Sequence, residues 1–313
     1  MSLRQDLKKR LETICPGRVK QKEPLGPYTT MRIGGKADWL IEPQTLLEMK
    51  KLKETAEEYA LSWKVLGQGS NLLVSDRGVR GLVIHLASST SPIKMTPLKN
   101  GQVLLEIGAG IPLARVVNYG LRHHLEGLEF LTGIPGSLGG AWAMNAGSYG
   151  KEMKDITAYL KIFSQDGRLV RKGKRQLSFS YRRLKLEPEE IIFSGGLMVT
   201  PAEGRKIQQE IRNRWAQRRS TQPLNRPSCG SIFKNPPGDF AGRLIEQAGL
   251  KGMERGKARI SSHHANFIIN QGGARARDVL NLMNLIRRRV RKQFGVLLEP
   301  EVCLWGCSLK EVE

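Results

Sequence analysis

The stretch Pro227 to Gly252, PSCGSIFKNPPGDFAGRLIEQAGLKG, sets Ser231 and Cys229 among glycines, ahead of two prolines and an amphipathic run. A serine in such a place can attack a carbonyl, hold a phosphate, donate a proton or simply turn the chain. The nucleophile elbow of acyl-transfer enzymes needs glycine two residues before and two after the serine. Cys229 and Phe233 stand there instead, which disfavours acyl transfer. His263 and His264 are candidate bases, or else a surface pair and a fold contact entering a strand. Glu299 and Glu301 flank Pro300 and point to one side of an extended segment, where a carboxylate can cap the chain or pair with arginine. Arg182 and Arg183 in FSYRRL offer fixed positive charge, or end a strand in solvent.

Two glycine-rich stretches could receive an anion. Gly67, Gly69 and Ser70 follow a short apolar run, so their amides could cradle a phosphate, or the glycines could form a hairpin between strands. Leu72 occupies the third glycine position of a dinucleotide-binding fingerprint, so the run is not that motif. The second stretch, TGIPGSLGGAWAMNAGSYG from Thr132, is nearly free of charge; it could be a second anion nest or a tight crossing of strands. GSYGKE within it lacks the spacing of a Walker loop.

These residues need elements to place them. Thr45 and Glu48 form a capping-box pair, and Met49, Leu52, Ala56 and Tyr59 mark one face of a helix over 45–60. WKVLG, QVLLEIGAG and IIFSGGLMV read as strands, PLARVVNYGLRHHL as a helix, and ITAYLKIFSQDGRLVRKG as a hairpin about Asp166 and Gly167. GQGSNLLVSDRGVRGLVIHL reads as a glycine turn between two apolar strands. Thr200, Pro201 and Glu203 signal a helix start, with Ile207, Ile211 and Trp215 on its packed face. STQPLNRPS reads as a linker. After it come a helix over 239–248, a strand NFIINQ, a helix over 278–294 ended by Gly295, and a closing strand VLLEPEVCLWG. The alternation indicates an α+β or α/β chain with a distinct module at about 223–298.

Composition limits the function. The chain has 313 residues, 40% of them apolar and 26% charged, as in soluble globular proteins. The first residues contain no apolar run of signal-peptide length, and no stretch offers about 18 uninterrupted apolar residues, so a cytoplasmic protein without membrane insertion is expected. Four scattered cysteines make no disulfide framework, and Cys303 and Cys307 lack partners at zinc-ligand spacing, so no metal is expected. The net charge of +22 concentrates anions, whether nucleic acid or acidic small molecules. The basic runs are not interleaved with stacking aromatics, which points away from a nucleic-acid partner.

Taken in order, TTMRIGGKAD, VLGQGSNLLVSD, LEFLTGIPGSLGGAWAMNAGSYGKEM, FSYRRL, PSCGSIFKNPPGDFAGRLIEQAGLKG, HANFIIN and LEPEV closely resemble the UDP-N-acetylenolpyruvoylglucosamine reductase family. The resemblance runs from about Tyr28 to Trp305. It implies an α+β fold: two subdomains of the vanillyl-alcohol-oxidase (PCMH/VAO-like) type that bind FAD, then a C-terminal α+β substrate-binding domain. The implied boundaries are 1–90 with 299–313 returning to it, 91–222, and 223–298. Little more than one strand and one helix separate Tyr181 from Ser231, so the chain resembles the shorter, type II members.

The same resemblance implies roles. Gly67, Gln68, Gly69, Ser70, Asn71 and Leu72 match one FAD loop, and Gly133, Ile134, Pro135, Gly136, Ser137, Gly139 and Gly140 match the other. Arg218 matches a position near the FAD phosphates. Ser231 matches the catalytic proton donor, while Arg182 and Glu301 match the residues that handle the substrate carboxylate. Tyr181, Lys234 and Asn235 match substrate-binding positions, and His264 stands where longer members carry an amide side chain. A UDP-sugar substrate, NADPH as hydride donor and a monomeric chain are the implied partners and state.

Overall fold

The helix expected after Thr45 runs Leu46–Glu58 in the computed structural model, which describes residues 3–86 and 92–311. Thr45 accepts from the Glu48 amide and the Glu48 carboxylate reaches back to the Thr45 amide, so both halves of the capping box form. The chain divides into two units, one of Met1–Gln21, Trp39–Gln68 and Gly81–Ala216, the other of Lys22–Asp38, Gly69–Arg80 and Gln217–Glu313. The module expected at 223–298 lies within the second unit, which also takes in two earlier segments.

In the first unit, Leu46–Glu58 and the helix Leu3–Ile14 bury Leu7, Leu11, Met49 and Leu52 against Ile84 and Leu82 of the strand Val79–His85. Trp63–Leu66 pairs in parallel with that strand. A larger antiparallel sheet follows the order Leu169–Gly173, Thr157–Phe163, Ile191–Pro201, Val103–Gly108, Lys94–Pro97. Its first two strands are the expected hairpin, turned at Gly167. The helices Leu113–Arg122 and Leu138–Ala143 cover the sheet, with Val116, Trp142 and Leu160 fully enclosed.

One expectation fails here through competition from strand pairing. Thr200 and Pro201 do not start a helix: they pair with Glu126 and Leu125, so the strand runs through Pro201 and the helix begins at Gly204. Ile207 of that helix is buried, but Trp215 is 40% exposed and lies off the packed face. The expected turn between two apolar strands forms, Gly78 standing between Leu72–Val74 and Val79–His85, but the two do not pair with each other. Leu72–Val74 instead runs parallel to Cys303–Trp305.

The second unit is built on the helix Ala276–Phe294, whose Val279, Leu282, Ile286 and Val290 are all 0% exposed. That face packs with the helix Ala241–Gln247 and an antiparallel sheet of Glu254–Arg255, Ala258–Ile260 and Ile268–Asn270. Gly295 closes the long helix in the left-handed conformation, as expected. Its other end is capped from far away: the Asp76 carboxylate accepts from the amides of Ala276 at 2.8 Å and Arg277 at 3.1 Å. The expected closing strand is regular only over Cys303–Trp305. No helix among the described residues is long and apolar enough to cross a membrane.

Candidate active site

Ser231 lies on a short extended segment of the second unit, held on both sides. On one side Ser231 bridges Phe267, and the Ile232 amide donates to the Asn266 carbonyl at 2.9 Å. On the other, Phe233 bridges Pro300, the Glu301 amide donates to the Ile232 carbonyl at 2.8 Å, and the Lys234 amide donates to Glu299 at 2.9 Å. Ile232 and Phe233 are 0% exposed and anchor the segment in the core, which leaves Ser231 half-buried at its edge. One hydrogen bond therefore separates the peptide next to Ser231 from that of Glu301. Asn71 donates from its side chain to the Glu301 carbonyl at 3.0 Å, and the Cys303 amide donates to Asn71 at 3.1 Å. Thr30 donates to the Ser228 carbonyl at 2.7 Å while its amide donates to Gly69 at 3.2 Å. The loop half Gly69–Leu72 is thus tied to the Ser231 segment at one end and the Glu301 segment at the other.

The other residues of this unit have mixed commitments. Lys234 pairs with Glu299 at 3.2 Å. The Asn235 side chain accepts from the Ala241 amide at 3.0 Å and so caps the helix that follows. Arg218 is 9% exposed and donates to Gln222 at 3.2 Å. The adjacent histidines part company: His263 is exposed and its Nε2 sits 2.7 Å from the Ser220 carbonyl, whereas His264 is partly buried. The His264 Nδ1 accepts from the Asn266 amide at 3.2 Å, which leaves the proton of the neutral ring on Nε2. Burial holds its pKa below the usual histidine range. Among the described residues neither ring hydrogen-bonds Ser231, so no serine–histidine couple forms. Cys229 is 1% exposed, and burial pushes its thiol up to about 12.

In the first unit, Arg182 takes a left-handed backbone conformation, φ 57°, and donates to the Gly147 carbonyl at 3.1 Å. A bulky residue holds that conformation only where its surroundings impose it. Tyr181 beside it is 46% exposed, with the guanidinium 5.3 Å from its ring centre.

The glycine loops can be tested for an anionic cofactor. In the first unit a Cβ on Gly67 would stand 2.3 Å from the Ser137 hydroxyl, so only glycine lets the two loops approach. Ser137 caps Gly140, and Gly139 donates to Ala109 at 2.7 Å, so those two glycine amides are spent; Ile134 donates to Leu131, and Pro135 has none. The amides of Gly133, Gly136 and Ser137 make no hydrogen bond among the described residues, nor does the buried Thr132 hydroxyl. A buried hydroxyl without a partner costs about 1–3 kcal/mol. Three free amides and one such hydroxyl suit the oxygens of a pyrophosphate. In the second unit Gly69, φ 56°, closes on the Tyr28 carbonyl, where a Cβ would come within 2.3 Å.

Thr132, Thr30 and Asn266 are site-forming residues that sequence reasoning missed. Thr132 stood inside a motif already singled out, Thr30 in TTMRIGG and Asn266 in HANFIIN. The available signal was a polar residue within an otherwise apolar or glycine-rich stretch. Among the described residues no group of three or more His, Cys, Asp or Glu could hold a metal.

Comparison with known proteins gives the site a context. Residues 222–305 match the family described as UDP-N-acetylenolpyruvoylglucosamine reductase, C-terminal domain, and residues 37–173 match the FAD binding domain. The order is that of the expected α+β fold, an FAD-binding part followed by a C-terminal domain. The chain is 44% identical over 300 residues to UDP-N-acetylenolpyruvoylglucosamine reductase 2 of Symbiobacterium thermophilum, covering 95% of this chain and 96% of that one. It is 45% identical over 299 residues to the reductase of Rubrobacter xylanophilus, covering 95% and 98%. The crystal structure of the Thermus caldophilus reductase matches with a TM-score of 0.80 at 39% identity, over 92% of this chain and 99% of that one.

Proposed function

The chain belongs to the UDP-N-acetylenolpyruvoylglucosamine reductase family, and on that premise we propose that it reduces the enolpyruvyl ether of a UDP-sugar to the lactyl ether, giving UDP-N-acetylmuramate, with FAD as cofactor and NADPH as hydride donor. The observation that carries this reading is the backbone link between Ser231 and Glu301 through Ile232. FAD bound there would supply hydride chemistry toward the terminal carbon of the enolpyruvyl group, with NADPH as the source of the electrons. The electron pair of the double bond then moves to the neighbouring carbon and into the carboxylate, which is a poor electron sink. Arg182, a fixed cation, and Glu301, in its protonated form, would stabilise the second negative charge. Ser231 gives its proton to the carbanion-like carbon and so fixes the lactyl configuration.

The free amides of Gly133, Gly136 and Ser137, with Gly67–Leu72 and Arg218, would hold the FAD pyrophosphate. Tyr181, Lys234, Asn235 and His264 would bind the nucleotide sugar. In this reading residues 1–90 with 299–313 and residues 91–222 handle the flavin, and 223–298 the substrate. Four free cysteines support a reducing, cytoplasmic setting. A monomer is the state we expect on size-exclusion chromatography.

The test is spectroscopic. The purified protein should be yellow and should oxidise NADPH only when the enolpyruvyl sugar nucleotide is present; colourless protein that added FAD does not reconstitute would overturn the reading. Ser231→Ala should leave flavin reduction by NADPH near its original rate and lower reoxidation by substrate about 10³-fold. Equal loss of both half-reactions would make the serine structural.

A further inference from the structure

Asn266 is 3% exposed and meets both backbone polar groups of Phe233. Its side-chain oxygen accepts from the Phe233 amide at 3.0 Å, and its side-chain nitrogen donates to the Phe233 carbonyl at 2.8 Å. The side chain therefore does what a facing strand would do, closing a ring of two hydrogen bonds on one residue. Its own carbonyl accepts from Ile232 at 2.9 Å, and its amide donates to the His264 Nδ1 at 3.2 Å. The buried residue thus spends every polar group on Ile232, Phe233 and His264. A buried amide bonded through both its oxygen and its nitrogen to one residue fixes one geometry, since losing either bond strands a buried partner at about 1–3 kcal/mol.

We infer that Asn266 is a positioning residue for the proton transfer: it sets the peptide on which Ser231 is carried and, through the same residue, fixes the proton of His264 on Nε2. The inference rests on the function proposed above. Ser231 itself offers the chain no comparable constraint, being half-buried on a segment two residues from the Asn266 ring of bonds. A displacement of about 1 Å in such a group costs on the order of 10²-fold in rate.

The informative variant is Asn266→Asp. A protonated carboxyl keeps both bonds, because its C=O accepts from the Phe233 amide and its O–H donates to the Phe233 carbonyl. An ionised carboxylate keeps the first and sets a lone pair against the carbonyl. Burial raises the pKa of the new carboxyl, so the variant holds the original geometry at low pH and loses it as pH rises through that raised value. The titratable and charged side chains on the segments packed against this position are His263, His264, Lys234, Glu299 and Glu301, with Arg243 and Glu246 of the helix whose Gly242 faces it and Lys251 beyond that helix, all present in the parent. Every comparison is therefore made with the parent at the same pH.

With the flavin-loaded protein, stopped-flow reoxidation by the enolpyruvyl sugar nucleotide should be within about threefold of the parent at pH 5.5 and at least about tenfold below it at pH 8. Flavin reduction by NADPH should follow the parent at both. Independently of activity, hydrogen–deuterium exchange of the Gly230–Lys234 segment should match the parent at pH 5.5 and exceed it at pH 8. Equal reoxidation by variant and parent at pH 8, or parallel loss of both half-reactions, would overturn the role of Asn266. A parent that the substrate does not reoxidise would instead remove the functional reading itself. Asn266→Ala, if it folds, should show the pH 8 behaviour at both pH values.

Discussion

Ser231 and Cys229 stand two residues apart on one segment, and burial separates their chemistry. Ser231 is half-buried, whereas Cys229 is enclosed with its thiol pushed up to about 12, so it stays protonated at neutral pH. Iodoacetamide at pH 8 should therefore leave Cys229 unmodified in the native protein and alkylate it once guanidinium unfolds the chain, as peptide mass mapping would show. Glu48 illustrates the opposite direction. The Arg18 guanidinium, bonded to both its oxygens at 2.7 and 2.9 Å, holds its carboxyl at about 2. A carboxyl held down in the folded state stabilises it above the unfolded value near 4.3, and that contribution is lost as pH falls toward 2. Glu48→Gln should thus lower the unfolding free energy most at pH 7, by an amount on the order of 3 kcal/mol in denaturant titrations, with the gap to the parent closing between about pH 5 and 2. At this scale the sequence exposed Ser231, Glu301 and Arg182 because their types carry chemistry. It hid Asn266, whose partners are backbone atoms of Phe233 and leave no trace in side-chain type.

Elements were legible where their determinants are local. The capping box at Thr45 and the apolar repeat Val279, Leu282, Ile286, Val290 each name a helix from within it. Elements shaped by distant pairing were not. The Thr200–Pro201 start signal loses to Leu125 and Glu126, and the strand after Asn71 finds Cys303 rather than its neighbour in sequence. The long helix shows the same limit at its first turn, where the capping carboxylate is Asp76. Asp76→Ala should cost about 1 kcal/mol, as loss of an N-cap does, and lower Tm by roughly 2 °C without changing the far-UV circular dichroism of the native state. Asp76→Asn should recover much of that loss, because its amide oxygen still accepts.

For the whole molecule, the net charge of +22 divides equally between the two units. FAD, NADPH and a UDP-sugar are all polyanions, and a field of this sign speeds their encounter. Raising ionic strength from about 20 to 200 mM should lower kcat/KM for the sugar nucleotide several-fold while leaving kcat nearly unchanged. Equal sensitivity of both constants would place the effect on the chemistry instead. The family was readable from motif order across nearly the whole chain. The division into units was not, because it takes Lys22–Asp38 and Gly69–Arg80 out of their place in sequence.

That interleaving gives the second unit a particular history during synthesis. The Asp76 carboxylate is made 200 residues before the amide of Ala276 that it receives. At roughly 5–20 residues per second, the interval is on the order of 10–40 s. Throughout it Met31, Ile33 and Leu73, core residues of the finished unit, have been made without the helices that will enclose them. The unit that carries Ser231 completes its core only when the end of the chain arrives.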